Sequence, residues 1–290
     1  MNKFLDKLKA YVELMKPFNH SKSTLYYGFC SIVGSILASP YSLPLNASLG
    51  AAAAITTSAF AIYTLNDICD VEIDRINAPH RPLPSGRVGV LEAEALTAIL
   101  LFISLTVACS VSLAVLTFTL LFSFLGIAYS VPPVRLKDSL LANACWGFGI
   151  ASSVLCGASV AAITIRPAIA AFTLAFLTAC CGFIKDLKDL EGDRAKAIHT
   201  LPAVLGEKDS IKFMTAASAV GSLLLVSNYF LCGFNPLYLA VIIVAVALLA
   251  YSALYLQVKP HAKDIYKKAY KMQAASGFLI NIAFIIGALT

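Results

Sequence analysis

Apolar runs of about twenty residues, separated by short polar segments, set the rhythm of this chain. A helix of that length crosses roughly 30 Å of hydrocarbon. The pattern predicts nine spans, near 22–40, 47–67, 91–109, 113–131, 140–163, 167–185, 210–231, 236–257 and 272–290. The softest boundary lies between the third and fourth, because "VACSVSLAVL" has no Pro, Asn or charge to mark a turn. The roughly 40 apolar residues from Leu91 to Ser130 still fit two spans better than one. Ahead of the first span, "MNKFLDKLKAYVELMKP" places Phe4, Leu8, Tyr11 and Met15 on one helical stripe with lysines opposite. That predicts an interfacial helix on the cytoplasmic surface. The segment is too charged, and its apolar core too short, for a cleaved signal peptide.

Composition agrees. The 290 residues are 59% hydrophobic and 13% charged, with a mean hydropathy of +0.81. Soluble domains carry about 25% charged residues, so the main solvent here is a bilayer and the fold class is an all-α, multi-pass membrane protein. Lysines and arginines gather before the first span and after the second, fourth, sixth and eighth, and only Arg166 falls on the other side. Positive charge marks cytoplasmic loops. The N-terminus is therefore expected inside and the C-terminus outside, in a cell membrane. The acidic residues obey the same partition. A net charge of +6 suits an anionic leaflet or anionic substrates and gives no reason to expect nucleic acid. The eight cysteines show no metal-ligand spacing and read as packing residues. Of the four histidines, His80 and His199 each follow an acidic cluster and are candidate phosphate or acceptor contacts.

Two acidic clusters share one spacing. "NDICDVEID" places Asp67, Asp70 and Asp74 at the end of the second span, and "KDLKDLEGD" places Asp186, Asp189 and Asp193 after the sixth. On a continuous helix, positions i, i+3 and i+7 lie within a sector of about 60°. Each trio would thus form a carboxylate ladder facing the cytoplasmic end of the bundle. Like charges on one face repel, and charge near bilayer depth is expensive, so two such ladders around one cavity demand divalent cations. All-oxygen ligands select hard ions, and Mg²⁺ shares its shell between carboxylates and substrate phosphates. Arg81, Lys137 and Lys185 are candidates for the remaining phosphate oxygens, and Asn66 adds a neutral oxygen. The ladders are offset by a constant 119 residues, from Asp67 to Asp186 and from Asp74 to Asp193. That offset predicts a weak internal repeat within a single domain, 1–290. A cation transporter is the alternative of another class. Transport sites lie near the midplane, whereas these ladders sit at the cytoplasmic ends.

Asn66 to Asp74 followed by "RPLPSG" from Arg81 resembles the first signature of the UbiA superfamily of intramembrane prenyltransferases. "KDLKDLEGD" from Lys185 resembles its second signature, and "YSVPPVRLK" from Tyr129 to Lys137 is similar to the loop after its fourth span. The resemblance implies nine helices around a central cavity with cytoplasmic cap loops. It implies Mg²⁺-dependent transfer of a prenyl group from an isoprenyl diphosphate to a lipophilic acceptor, with release of pyrophosphate. It places Asn66, Asp67, Asp70, Asp74, Asp186, Asp189 and Asp193 at the metal sites. Arg81, Lys137 and Lys185 then contact phosphate, Tyr129 borders the allylic carbon, and Asn19 sits where a polar acceptor contact is expected. The loops lean towards geranylgeranyl transfer onto geranylgeranylglyceryl phosphate, an ether-lipid step. An aromatic or quinone-precursor acceptor is the alternative.

Overall fold

The structure, a computed structural model, describes residues 2–17, 23–187, 190–195, 198–258 and 263–289. Among them the regular structure is helical throughout. An amphipathic α1 (Asn2–Met15) precedes α2 (Leu25–Ala38) and α3 (Leu45–Cys69). A short α4 (Val71–Asn77) leads to α5 (Val90–Val111), α6 (Leu113–Ser130), α7 (Ala142–Ala158) and α8 (Ile165–Cys181). Three short helices follow, α9 (Ile184–Leu187), α10 (Leu190–Ala195) and α11 (Leu201–Leu205). The chain ends with α12 (Glu207–Cys232), α13 (Pro236–Val258) and α14 (Lys263–Leu289). Among the described residues, seven stretches are long and apolar enough to cross a membrane: α3, α5, α6, the run Ile165–Leu187, α12, α13 and α14. The expected first and fifth spans are the shorter α2 and α7, of 14 and 17 residues.

The soft boundary between the third and fourth spans has a local cause. Ser112 adopts an extended conformation and its hydroxyl accepts from the Val115 amide at 3.1 Å. It caps α6 with no need of Gly or Pro. The sixth span is interrupted at Gly182 and Phe183, so Lys185 and Asp186 ride on the separate α9.

Packing closes the bundle. α3 packs on α2, α5 and α6, α7 on α2, α6 and α8, α12 on α8 and α13, and α14 on both α13 and α2. Without a hydrophobic drive between helices in lipid, contact depends on small residues and hydroxyls. At the α2–α7 crossing a Cβ on Gly34 would lie 1.8 Å from the Val154 carbonyl oxygen, and one on Gly157 1.7 Å from that of Ser31. Only glycine permits that approach. Ser104 donates to the Ala54 carbonyl at 2.7 Å, Ser58 and Ser123 lie 2.8 Å apart, and Asn228 donates to Thr173 at 3.0 Å. Large side chains such as Phe102, Phe124, Leu223 and Phe230 face outward, as lipid-facing positions require.

α1 differs in detail from its expected stripe. Ala10 and Leu14 are the buried residues, packed with Leu83, Val88 and Ala93. Phe4 and Leu8 are exposed, with Leu5 and Val12 beside them. The helix thus has one face on the protein and a second apolar face turned away from it.

Candidate active site

The first acidic motif straddles a helix break. α3 ends at Cys69, Asp70 takes a non-helical conformation with φ −104° and ψ 1°, and α4 starts at Val71. The hydrogen bonds from Asp70 N to Asn66 O, 3.1 Å, and from Asp74 N to Asp70 O, 2.8 Å, carry the turn across the break. Asp67 and Asp74 are buried, at 4% and 7% exposure, and Asp70 is half-buried. The three carboxylates do not share one partner, as a uniform ladder would suggest. Lys16 meets Asp67 at 2.5 Å, Lys137 spans both oxygens of Asp70 at 2.6 Å, and Arg81 holds Asp74 at 2.6 Å. Arg135 adds a bond to Asp70 at 2.9 Å while its Nε binds Asp138 at 2.7 Å. Among the described residues no three acidic, histidine or cysteine side chains converge on one point.

Two of these cations escaped the sequence reading. Among the described residues, Lys16 and Arg135 are the non-glycine residues with positive φ, at 51° and 35°. Such a backbone costs energy and persists only where its surroundings enforce it. Both residues are spent on motif aspartates. Burial works against the Arg135 charge, but Asp138 and Asp70 more than offset it and raise the guanidinium pKa. A Lys before Pro and an Arg after a Pro pair were the available signals, and neither specifies a partner many residues away.

In the second motif, Lys185 and Asp186 lie on α9. The Lys185 ammonium donates to the Tyr129 hydroxyl at 3.4 Å and sits 4.5 Å from the Trp146 ring centre, a cation–π distance. Asp186 accepts from the Asn143 amide at 3.2 Å. Asp189 lies outside the described residues, as does Asn19, and for Asp193 only the backbone, within α10, is described. His80 and His199 are both exposed. The His80 carbonyl accepts from Arg87, and the His199 amide donates to the Asp138 carbonyl. Neither histidine is among the residues lining the two cavities described next.

Two cavities open from this cluster. The smaller, about 110 Å³, is lined by Asn66, Tyr129, Ser130 and Lys185 together with apolar residues of α3, α6 and α7. The larger, about 270 Å³, runs between α2, α8, α13 and α14 and is almost wholly apolar. Tyr27, Tyr63, Trp146 and Tyr270 line both. One residue from each acidic motif therefore lines the same small cavity. The α6–α7 connection binds the first motif through Arg135 and Lys137, while Tyr129 on α6 and Asn143 on α7 meet the second. Asn66 donates to Ser130 at 3.2 Å, and Tyr129, next to it, meets Lys185.

The candidate donors are carboxylate and amide oxygens, with no imidazole among the motif residues and a single thiol, that of Cys69. That chemistry fits a hard divalent ion such as Mg²⁺. The surrounding Arg81, Arg135, Lys137 and Lys185 suit phosphate oxygens.

Comparison with known proteins places the chain in a family. The model of the UbiA prenyltransferase family matches residues 27–280. The digeranylgeranylglyceryl phosphate synthase of Methanosphaera stadtmanae is 27% identical over 283 residues, covering 97% of this chain and 100% of the relative. That of Saccharolobus solfataricus is 30% identical, covering 97% and 98%. A solved structure described as giving insights into digeranylgeranylglyceryl phosphate synthase in membranes superposes with a TM-score of 0.79 at 27% identity, over 98% of this chain and 99% of the other. A UbiA homologue from Archaeoglobus fulgidus, bound to GPP and Mg²⁺, shares the fold with a TM-score of 0.68 at 19% identity, over 95% and 99%. With the motifs, the cavities and the match over most of its length, this chain belongs to the UbiA prenyltransferase family.

Proposed function

We propose that the protein transfers a geranylgeranyl group from its diphosphate to geranylgeranylglyceryl phosphate, at a Mg²⁺-dependent site between the two aspartate motifs. One observation carries the site: Asn66 and Lys185, the first residues of the two motifs, line one cavity whose other walls are mostly aromatic and aliphatic. The acceptor rests on the relatives, whose name describes synthesis of digeranylgeranylglyceryl phosphate.

Asp67, Asp70, Asp74 and Asp186, with Asn66, would hold Mg²⁺, joined by Asp189 and Asp193. When bound, the metal neutralises charge on the leaving diphosphate as a Lewis acid. Arg81, Arg135 and Lys137 already surround Asp70 and Asp74, so they can take the diphosphate oxygens as the carboxylates turn to metal. The allylic C–O bond of the donor breaks and pyrophosphate leaves. The acceptor hydroxyl oxygen bonds to that carbon, and its proton passes to the released pyrophosphate. An allylic cation would be quenched by water, and the apolar cavity excludes it. The rings of Tyr129 and Trp146, already beside the Lys185 ammonium, can face the developing positive charge. The two cavities meeting at Tyr27, Tyr63, Trp146 and Tyr270 offer apolar room for the prenyl chains.

On this reading the whole chain, 1–290, is one domain. α2 and α7 join the seven longer helices to make nine spans, the acidic motifs face the cytoplasm under loop caps, and the N- and C-termini lie on opposite sides. α1 lies on the inner membrane surface through Phe4 and Leu8. Mass spectrometry of products from purified protein, offered geranylgeranyl diphosphate, Mg²⁺ and a panel of acceptors, tests the assignment. A digeranylgeranylglyceryl phosphate product is expected. A prenylated aromatic product in its place would overturn the acceptor assignment.

A further inference from the structure

The two acidic motifs are not equivalent in their neutral oxygens. At the repeat spacing of 119 residues Asp67 corresponds to Asp186, and Asn66 falls on Lys185. The second motif therefore has no amide of its own at the position where the first has one. The structure supplies one from another helix. Asn143, the second residue of α7, is 5% exposed, and its Nδ2 donates to Asp186 Oδ2 at 3.2 Å. Its Oδ1 is buried and has no hydrogen-bond partner among the described residues. A buried carbonyl left without a donor is costly and calls for an explanation. Gly182 lies beside it: a Cβ there would lie 3.3 Å from Asn143 Oδ1, 3.2 Å from the Trp146 ring and 2.5 Å from the Thr178 carbonyl oxygen. Gly182 and Trp146 both line the larger cavity.

We propose that Asn143 is the amide of the second acidic motif. Its Nδ2 fixes the Asp186 carboxylate, and its carbonyl oxygen serves the shell of a hydrated divalent cation carrying the diphosphate. Asn143 is thus a metal-positioning residue contributed from outside both motifs, and this rests on the metal-dependent reading above. Partners that orient a ligating carboxylate typically hold about 10–100-fold in metal affinity or activity.

Trp146, the one tryptophan of the chain, lies one helical turn beyond Asn143 and reports the site directly. The experiment uses the full chain in detergent, titrated with Mg²⁺ in the presence of inorganic pyrophosphate and followed by Trp146 fluorescence and by thermal unfolding. The Asn143→Ala variant is expected to bind Mg²⁺ at least about tenfold more weakly than wild type. Asn143→Asp keeps an oxygen but sets a like charge against Asp186. Its unfolding temperature is expected to rise more steeply with Mg²⁺ than that of wild type. Wild-type Mg²⁺ affinity in Asn143→Ala overturns the proposal. If that variant does not fold, an Asn143→Asp response equal to wild type overturns it alone. A wild-type protein that does not bind Mg²⁺ overturns the metal-dependent reading itself, a result distinct from an Asn143 effect missing in a protein that does bind.

Discussion

Lys16 and Asp67 are both nearly sealed from solvent, at 9% and 6% side-chain exposure. Removing one member of such a buried pair leaves a charge with nothing to offset its desolvation, which costs on the order of 3–5 kcal/mol. Lys16→Met is therefore expected to lower the thermal unfolding temperature of the metal-free protein. Mg²⁺ with pyrophosphate should recover part of the loss, because Asp67 then has another cation. Differential scanning fluorimetry with and without Mg²⁺ reads both effects. The aspartates were legible in the sequence because a repeated spacing of like charges has no structural motive of its own. Their cations were only half legible. Arg81 and Lys137 sit next to recognisable signatures, whereas Lys16 reaches Asp67, and Arg135 reaches Asp70, each from a positive-φ backbone. The sequence could not reveal either long-range pairing. Asn143 was invisible for the same reason: an asparagine near a helix start reads as ordinary until Asp186 is seen against it.

Among the helices, the crossing of α2 and α7 is set by backbone contact at Gly34 and Gly157. Overpacking a core typically costs about 1–3 kcal/mol. A side chain at Gly157 meets the Ser31 carbonyl rather than a flexible neighbour, so the helices themselves must part. Gly157→Leu is expected to cost at least that much and to reduce the yield of folded protein, measured by thermal unfolding and size-exclusion chromatography in detergent. Transfer activity should fall with it, since α2 and α7 carry Tyr27 and Trp146, which line both cavities. Helix ends were predicted to within a few residues wherever a charge or Pro marked them. The larger departures are α7, expected to run to about 163 but ending at Ala158, and α14, expected near residue 272 but starting at Lys263. Lysines clustered after an apolar run suit a cytoplasmic loop as well as a helix, and here Lys267, Lys268 and Lys271 ride on the first turns of α14.

Across the whole molecule, the length of apolar runs and the placement of lysines foretold a multi-pass helical protein, because bilayer thickness and the cost of stranded charge leave few other solutions. Family membership favours the enzyme reading over the cation-transporter alternative. The cavities were not legible, since their walls are drawn from helices far apart in sequence and from rings that any span could carry. Nine spans make a definite prediction for the ends of the chain. A C-terminal alkaline phosphatase fusion should be active and the same fusion placed in the α12-preceding loop inactive. An eight-span chain would place the C-terminal fusion inside and reverse the first result.

The central claim is that metal held between two aspartate motifs drives prenyl transfer. Its most direct test is transfer of radiolabelled geranylgeranyl from the diphosphate by purified protein, with Mg²⁺, with excess EDTA, and with Asp70→Ala or Asp186→Ala variants shown to be folded. The account predicts transfer with Mg²⁺, none in EDTA, and losses on the order of 100-fold or more in either variant. Undiminished transfer in excess EDTA, or by either alanine variant, would contradict it.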